Sequence, residues 1–350
     1  MNESYQLLAK KLDEHPNGFP PTPDWVEIRL LAKIFSPDEA ALASQLSVQV
    51  EPVAQIAERI GSDPDEIKRK LKDLARRGLI ICKKTESGLG FALMPFIVGF
   101  YENQMPTMDM ELAQLFEDYY RQAAGRLLAI HPQVHRIMPV NETIRNDMEI
   151  RPYESAAAIL DRAQAWGVTD CICRKQKSLI GEACQHPIDV CMVLSPVPGV
   201  FENNPVIHSL TREKAQQTLQ RAAEAGLVHS INNSQESVWY ICNCCTCSCG
   251  ILRGIKELGL SNVVARSAFV NFVNEELCLG CETCATACQF DAITYTGTAQ
   301  IDANRCVGCG VCVVACPEGA LSLIRRPERE VVVPPVDELS WRVERAKVRG

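Results

Sequence analysis

The sequence predicts an α+β chain of several domains: a helical first block, a cysteine-rich α/β middle block and a small final block built on a repeat. Three observations predict it. Apolar residues recur at helical spacing up to about residue 130. Seventeen of the 18 cysteines then fall between Cys171 and Cys316. Within that stretch, one four-cysteine spacing occurs twice, starting at Cys278 and again at Cys306. A length of 350 residues suits two or three domains, and 47% hydrophobic residues can bury real cores.

Composition removes several function classes. A net charge of −7 argues against a protein that coats nucleic acid, although one basic face would survive it. The most apolar stretch, Phe91–Phe100, is about half the roughly 20 residues of a membrane span, and Pro95 interrupts it. Met1–Pro20 lacks a basic segment followed by an apolar one, so no secretory leader is expected. A cytoplasmic location follows as the expectation, and reduced, clustered thiols there favour metal over disulfides.

The helical block is expected over 1–130. Tyr5–Leu12 is a short helix stopped by His15-Pro16-Asn17-Gly18, and Trp25–Phe35 is a second one. Ser36-Pro37-Asp38-Glu39 starts a third, with Ser36 as N-cap, Pro37 at the first helical position and Glu39 closing a capping box. Ala54–Ile60 ends at Gly61; Ser62-Asp63-Pro64-Asp65 then caps Glu66–Arg77, which carries Ile67, Leu71 and Leu74 on one face. Leu79–Lys83 and Gly90–Met94 read as a hairpin, placing Cys82 in an apolar run as inert packing. Met110–Leu128 completes the block as an amphipathic helix.

This order resembles a winged helix-turn-helix over residues 36–95, including the phrase Leu74-Ala-Arg-Arg-Gly-Leu-Ile81. Asp63–Lys84 holds eight cations, enough for phosphate contact, but Asp63, Asp65 and Glu66 crowd the end that such a helix inserts into a groove. The preferred expectation is therefore a docking module, or one pairing two copies of the chain, without nucleic acid. A redox-sensing transcription regulator is the alternative.

A proline-punctuated connector is expected over 131–152, then the middle block over 153–259. The latter reads as helix Ser155–Trp166, a cysteine-bearing loop, helix Thr211–Ala225 and a hairpin Leu227–Asn232/Val238–Ile241. Its nine cysteines are Cys171, Cys173, Cys184, Cys191, Cys242, Cys244, Cys245, Cys247 and Cys249. Adjacent and alternate thiols crowd several sulfurs into one volume, which only metal, a disulfide or strong pKa shifts make tolerable. Two cubanes on a four-plus-four split, one cubane with surplus thiols, and zinc or a non-cubane centre all stay open. Cys-Ile-Cys-Arg together with Ile-Cys-Asn-Cys-Cys-x-Cys-x-Cys resembles a group of proteins from anaerobes described only as 4Fe–4S binding. That resemblance implies clusters and no particular reaction. Arg174, Lys175 and Lys177 are either cations beside a cluster or a solvated basic loop; His186, His208 and His229 are weaker ligand candidates.

The final block covers 274–323, with a charged tail over 324–350 and a helix around Val336–Lys347. Cys278-x2-Cys281-x2-Cys284-x3-Cys288 and Cys306-x2-Cys309-x2-Cys312-x3-Cys316-Pro317 closely resemble the two-cluster bacterial 2[4Fe–4S] ferredoxins. The resemblance implies a ferredoxin-like fold in which the fourth cysteine of each run crosses over. One cluster then takes Cys278, Cys281, Cys284 and Cys316; the other takes Cys306, Cys309, Cys312 and Cys288. Gly280, Gly308 and Gly310 permit the tight loops, and Ala292–Tyr295 with Ala299–Asp302 reads as the hairpin between halves. Gln289 departs from the family, which usually has proline there.

No dinucleotide fingerprint, Walker A motif or nucleophile triad signature is evident. The expected function is therefore electron transfer, relaying single electrons to or from a flavoprotein or an iron–sulfur subunit of an oxidoreductase in anaerobic metabolism. Clusters would add to the negative charge, so such partners should present basic patches.

Overall fold

The computed structural model describes residues 2–140, 143–145, 148–260 and 262–349. Positions 141, 142, 146 and 147 of the expected connector, with Met1 and Gly350 at the ends, lie outside them. The chain mixes helix and sheet and divides into two compact units, Met1–Leu127 with Arg349–Gly350, and Leu128–Val348.

The first unit runs α1 (Glu3–Asp13), α2 (Val26–Ile34), α3 (Pro37–Ser44), β1 (Glu51–Pro52), α4 (Val53–Ile60), α5 (Pro64–Arg76), β2 (Ile80–Thr85), β3 (Gly88–Leu93) and α6 (Met110–Leu128). The caps act as the residue types dictate. The Ser36 hydroxyl accepts from Glu39 N–H while Glu39 bonds back to Ser36 N–H, and the Asp63 carboxylate accepts from Glu66 N–H at 2.9 Å. Strand β1 pairs with β3 and completes a three-stranded sheet, β1-β3-β2. Two residues are too short to show a period, so this strand leaves no pattern in the sequence. Phe19, Phe96, Phe100, Tyr101, Phe116 and Tyr119 form an aromatic core, with Tyr101 stacked on Phe116 at 4.0 Å between centroids. Cys82, expected as packing, is exposed instead, because it lies on β2 at the open edge of the sheet.

The second unit is built on a seven-stranded sheet. Its elements include β4 (His135–Met138), α7 (Ala156–Arg162), β5 (Ala165–Thr169), α8 (Ile172–Leu179), β6 (Cys191–Ser195) and β7 (His208–Leu210). Then come α9 (Arg212–Glu224), β8 (Val228–Asn232), β9 (Tyr240–Cys244), α10 (Arg253–Glu257) and β10 (Val264–Ala265). The strand order is β10-β4-β8-β9-β6-β5-β7, antiparallel except where β10 meets β4. Two expectations change. The helix read over 155–166 ends at Arg162: Ala163 turns extended, and Trp166-Gly167-Val168-Thr169 pairs with β6 as a strand. The "cysteine-bearing loop" contains helix α8 directly after Cys171. Strand β4 comes from within the expected connector and pairs with β8.

The sheet leads into β11 (Phe269–Val273), α11 (Thr283–Ala287), β12 (Ile293–Tyr295), β13 (Ala299–Ile301), α12 (Val311–Val314), β14 (Leu321–Arg325) and α13 (Glu338–Arg349). Strands β12 and β13 are the expected hairpin, whereas the β11–β14 pair brackets the repeat from outside. Within this unit, Trp341 of α13 donates its indole N–H to Gln133 O at 2.8 Å, anchoring the tail helix beside β4.

Candidate metal centres

Each cysteine run of the repeat folds as a tight loop feeding a one-turn helix. Gly280, Gly308 and Gly310 all have φ near +70 to +80° (67, 68 and 82). Gly308 shows why: a Cβ there would lie 2.0 Å from Phe269 O. Gly308→Ala is therefore expected to cost on the order of 3 kcal/mol or more and to distort the loop. Thermal melting and iron content of the variant check this; unchanged values would contradict it.

The two loops shape two pockets. One is lined by Cys278, Cys281, Cys284 and Cys316, the other by Cys288, Cys306, Cys309 and Cys312. The fourth cysteine of each run thus faces the cavity of the other run. Donors already point at the sulfurs: Asn271 Nδ2 reaches Cys312 Sγ at 3.1 Å and Ala299 N–H reaches Cys278 Sγ at 3.5 Å. Tyr295 Oη stands 2.9 Å from Cys284 Sγ, placed to donate to a thiolate. Such bonds stabilise charge on sulfur and set cluster potentials. Burial, reinforced by the charges of neighbouring cysteines, pushes the Cys309 thiol up to about 12 and raises Cys288 and Cys312 as well, so these groups stay protonated until metal displaces the proton.

The nine middle cysteines divide six and three, not four and four. Cys242 and Cys244 alternate on β9 and share one of its faces; Cys171 and Cys173 open α8, and Cys191 opens β6. Hydrogen-bonding contacts link Cys171 to Cys173 and Cys191, Cys173 to Cys249, Cys249 to Cys244, Cys244 to Cys242, and Cys242 to Cys191. These interactions close into a ring of six sulfurs, each coupled to two neighbours. Six ligands around a ring enclose a volume rather than a point, which suits a polynuclear core better than one ion.

The other three, Cys184, Cys245 and Cys247, bring their sulfurs within 4.8 Å of one another. Cys184 and Cys245 are 4.0 Å apart, and they pack in a small core with Val190, Ala222 and Leu227. A hydrogen bond from Cys247 holds the Cys245 thiol down at about 5, aided by the charges of Arg174 and His186 against the opposing effect of burial.

Arg174 lies between ring and trio and is only 4% exposed. Its Nη2 donates to Asn243 O at 2.8 Å and approaches Cys245 Sγ at 3.7 Å. Its Nε and Nη1 are buried with no hydrogen-bond partner among the described residues. A buried cation with two orphaned donors beside a ring of thiols fits an anionic centre with sulfide acceptors. Lys177 is also buried, paired with Glu182, so α8 is not a solvated basic loop. His229 is engaged by the Asn243 carboxamide at 2.6 Å, and His208 lies exposed on β7.

Gln289 has a role that its polarity alone did not suggest. It accepts from Thr246 N–H at 2.7 Å and donates to Gly226 O, tying the repeat to the loop of the middle cysteines. Gln289→Ala is expected to lower stability by about 1–3 kcal/mol without changing iron content, since both backbone partners lose a bond. Denaturant midpoints and metal analysis check it. The His135 imidazole was not singled out by sequence; burial lowers it to about 3, and it packs against Tyr240 as a neutral core ring.

No helix among the described residues is long and apolar enough to cross a membrane. A comparison with family models matches residues 272–294 and 299–322 to the 4Fe-4S binding domain, Fer4. No curated protein and no solved structure matches the chain. The C-terminal block is thus a ferredoxin-like 4Fe–4S region, and iron–sulfur electron transfer is the chemistry that it brings.

Proposed function

We propose that the protein relays single electrons along a series of iron–sulfur centres: two [4Fe–4S] clusters on the crossed cysteine sets and a third centre on the six-sulfur ring. The observation carrying this reading is continuity of packing. Cys278, Cys284 and Cys316 of the first cavity share one apolar core with Cys288 and Cys312 of the second. Cys288, Cys306 and Cys309 in turn share a core with Cys242, Cys244 and Cys249 of the ring, through Phe290, Ala292, Val307 and Val311. Bound in these sites, iron–sulfur clusters accept and release one electron at a time. The chain's own residues hold the sites in series, exclude water between them and direct N–H donors at their sulfurs.

The outer end of the series is marked by Cys281, which is exposed, and by Leu279, which is 72% exposed beside it. A redox partner docking there, a flavoprotein or another iron–sulfur subunit, meets the first cavity directly. The helices and three-stranded sheet of the first unit support reading it as a winged-helix-like docking or dimerisation module. The acids at the start of α5 speak against DNA as its ligand: Asp63 caps the helix, while Asp65 and Glu66 lie in its first turn.

Rapid mixing of the dithionite-reduced protein with an oxidised flavoprotein under anaerobic conditions tests the reading. Single-electron reoxidation that slows with added salt is expected. Absence of transfer, together with sequence-specific DNA retardation that follows the redox state, would replace it by the regulator.

A further inference from the structure

We propose that Cys184, Cys245 and Cys247 form a mononuclear zinc site separate from the iron–sulfur series. The site would be structural rather than redox-active, and it goes beyond the electron-relay reading without depending on it.

The first argument is size. Four ligands about 2.3 Å from one zinc ion stand roughly 3.8 Å apart at the corners of a tetrahedron. All three sulfurs here lie within 4.8 Å of one another, and Cys184 and Cys245 are separated by 4.0 Å. In a cubane each thiolate binds its own iron, which spreads the ligands around a four-iron core. The trio is gathered about a point, whereas the ring sulfurs of the same domain touch only in sequence around a circuit.

The second argument is separation. Cys244 and Cys245 are adjacent, but Cys244 lies on the β9 face of the ring and packs with Ile251 and Val264. Cys245 packs instead with Val190, Ala222 and Leu227. Arg174 Nη2 is bonded to Asn243 O and approaches Cys245 Sγ at 3.7 Å. Nearest neighbours in sequence therefore serve two different sites.

The third argument is what the site would hold. Gly181–Asp189 carries neither helix nor strand, yet it must bridge α8 and β6. Cys184 lies in it, with its Sγ 4.0 Å from that of Cys245. Joining that loop to the 245–249 turn through one ion supplies the cross-link that the backbone lacks. Soft thiolates are donors typical of structural zinc. Zinc binding transfers no electrons; it displaces the remaining thiol protons to solvent.

The experiment uses the full chain, purified anaerobically from cells supplied with iron and zinc. Elemental analysis should find one zinc per chain, and zinc-edge X-ray absorption should show three cysteine sulfurs in the shell. Cys247→Ser, at an exposed position, should reduce zinc by about tenfold or more while iron and acid-labile sulfide stay unchanged. Cys242→Ser should do the reverse, removing iron and sparing zinc. Wild-type protein without zinc, a zinc shell with fewer than three sulfurs, or iron loss in Cys247→Ser would each overturn the proposal. A protein that keeps its zinc but lacks iron at the ring would instead overturn the relay reading and leave this one standing.

Discussion

Cys316→Ser is expected to empty the centre built by the first cysteine run, although Cys316 belongs to the second. The cavity lined by Cys278, Cys281 and Cys284 takes its fourth wall from Cys316, and the other cavity takes Cys288 in exchange. The crossing makes a test that no single variant supplies. Cys281→Ser and Cys316→Ser should each remove about four iron atoms, and the double variant no more than either alone. Cys281→Ser combined with Cys288→Ser should remove about eight, because the two residues face different cavities. An additive loss for the 281/316 pair, with a shared loss for 281/288, would mean that each run keeps its own fourth cysteine.

Arg174→Gln is expected to lower the potential of the middle centre by roughly 50–150 mV. The figure follows from removing a unit charge several ångströms away at an effective dielectric of about 20, with about 59 mV for each tenfold change in a one-electron equilibrium. The sign comes from charge: an electron added to an anionic centre is stabilised by the guanidinium, and its loss favours the oxidised form. Arg174→Lys keeps the charge and should retain most of the potential, while losing the bond to Asn243 O. A redox titration followed by EPR reads both variants. A potential that stays constant or rises in Arg174→Gln would place the arginine in a purely structural role.

The repeat was the most legible part of the chain. Its ligand geometry is written in local spacing, two residues between the first three cysteines of each run and three before the fourth, with glycine where φ must be positive, and even the hairpin Ile293–Tyr295/Ala299–Ile301 showed in the sequence. The caps at Ser36 and Asp63 were legible for the same reason, since each acts within three residues. The middle domain was not, because its order is non-local. Cys171, Cys191 and Cys249 meet only after a seven-stranded sheet brings β6 beside β9, and no spacing along the chain records that pairing. Trp166 fitted a helical stripe as well as a strand, and tertiary pairing with Leu194 decided between them. Gln289 read as a departure from a family pattern; only the fold shows that its amide spans two segments, 226 and 246.

Iron and acid-labile sulfide counted per chain, on protein isolated without oxygen, test the central claim most directly. The account expects a brown protein with about twelve or more iron atoms, about eight in the crossed pair and at least four in the ring, with sulfide in similar amount. A count of about eight would leave the ring without a centre and break the series at its inner end, and a colourless protein would contradict it throughout.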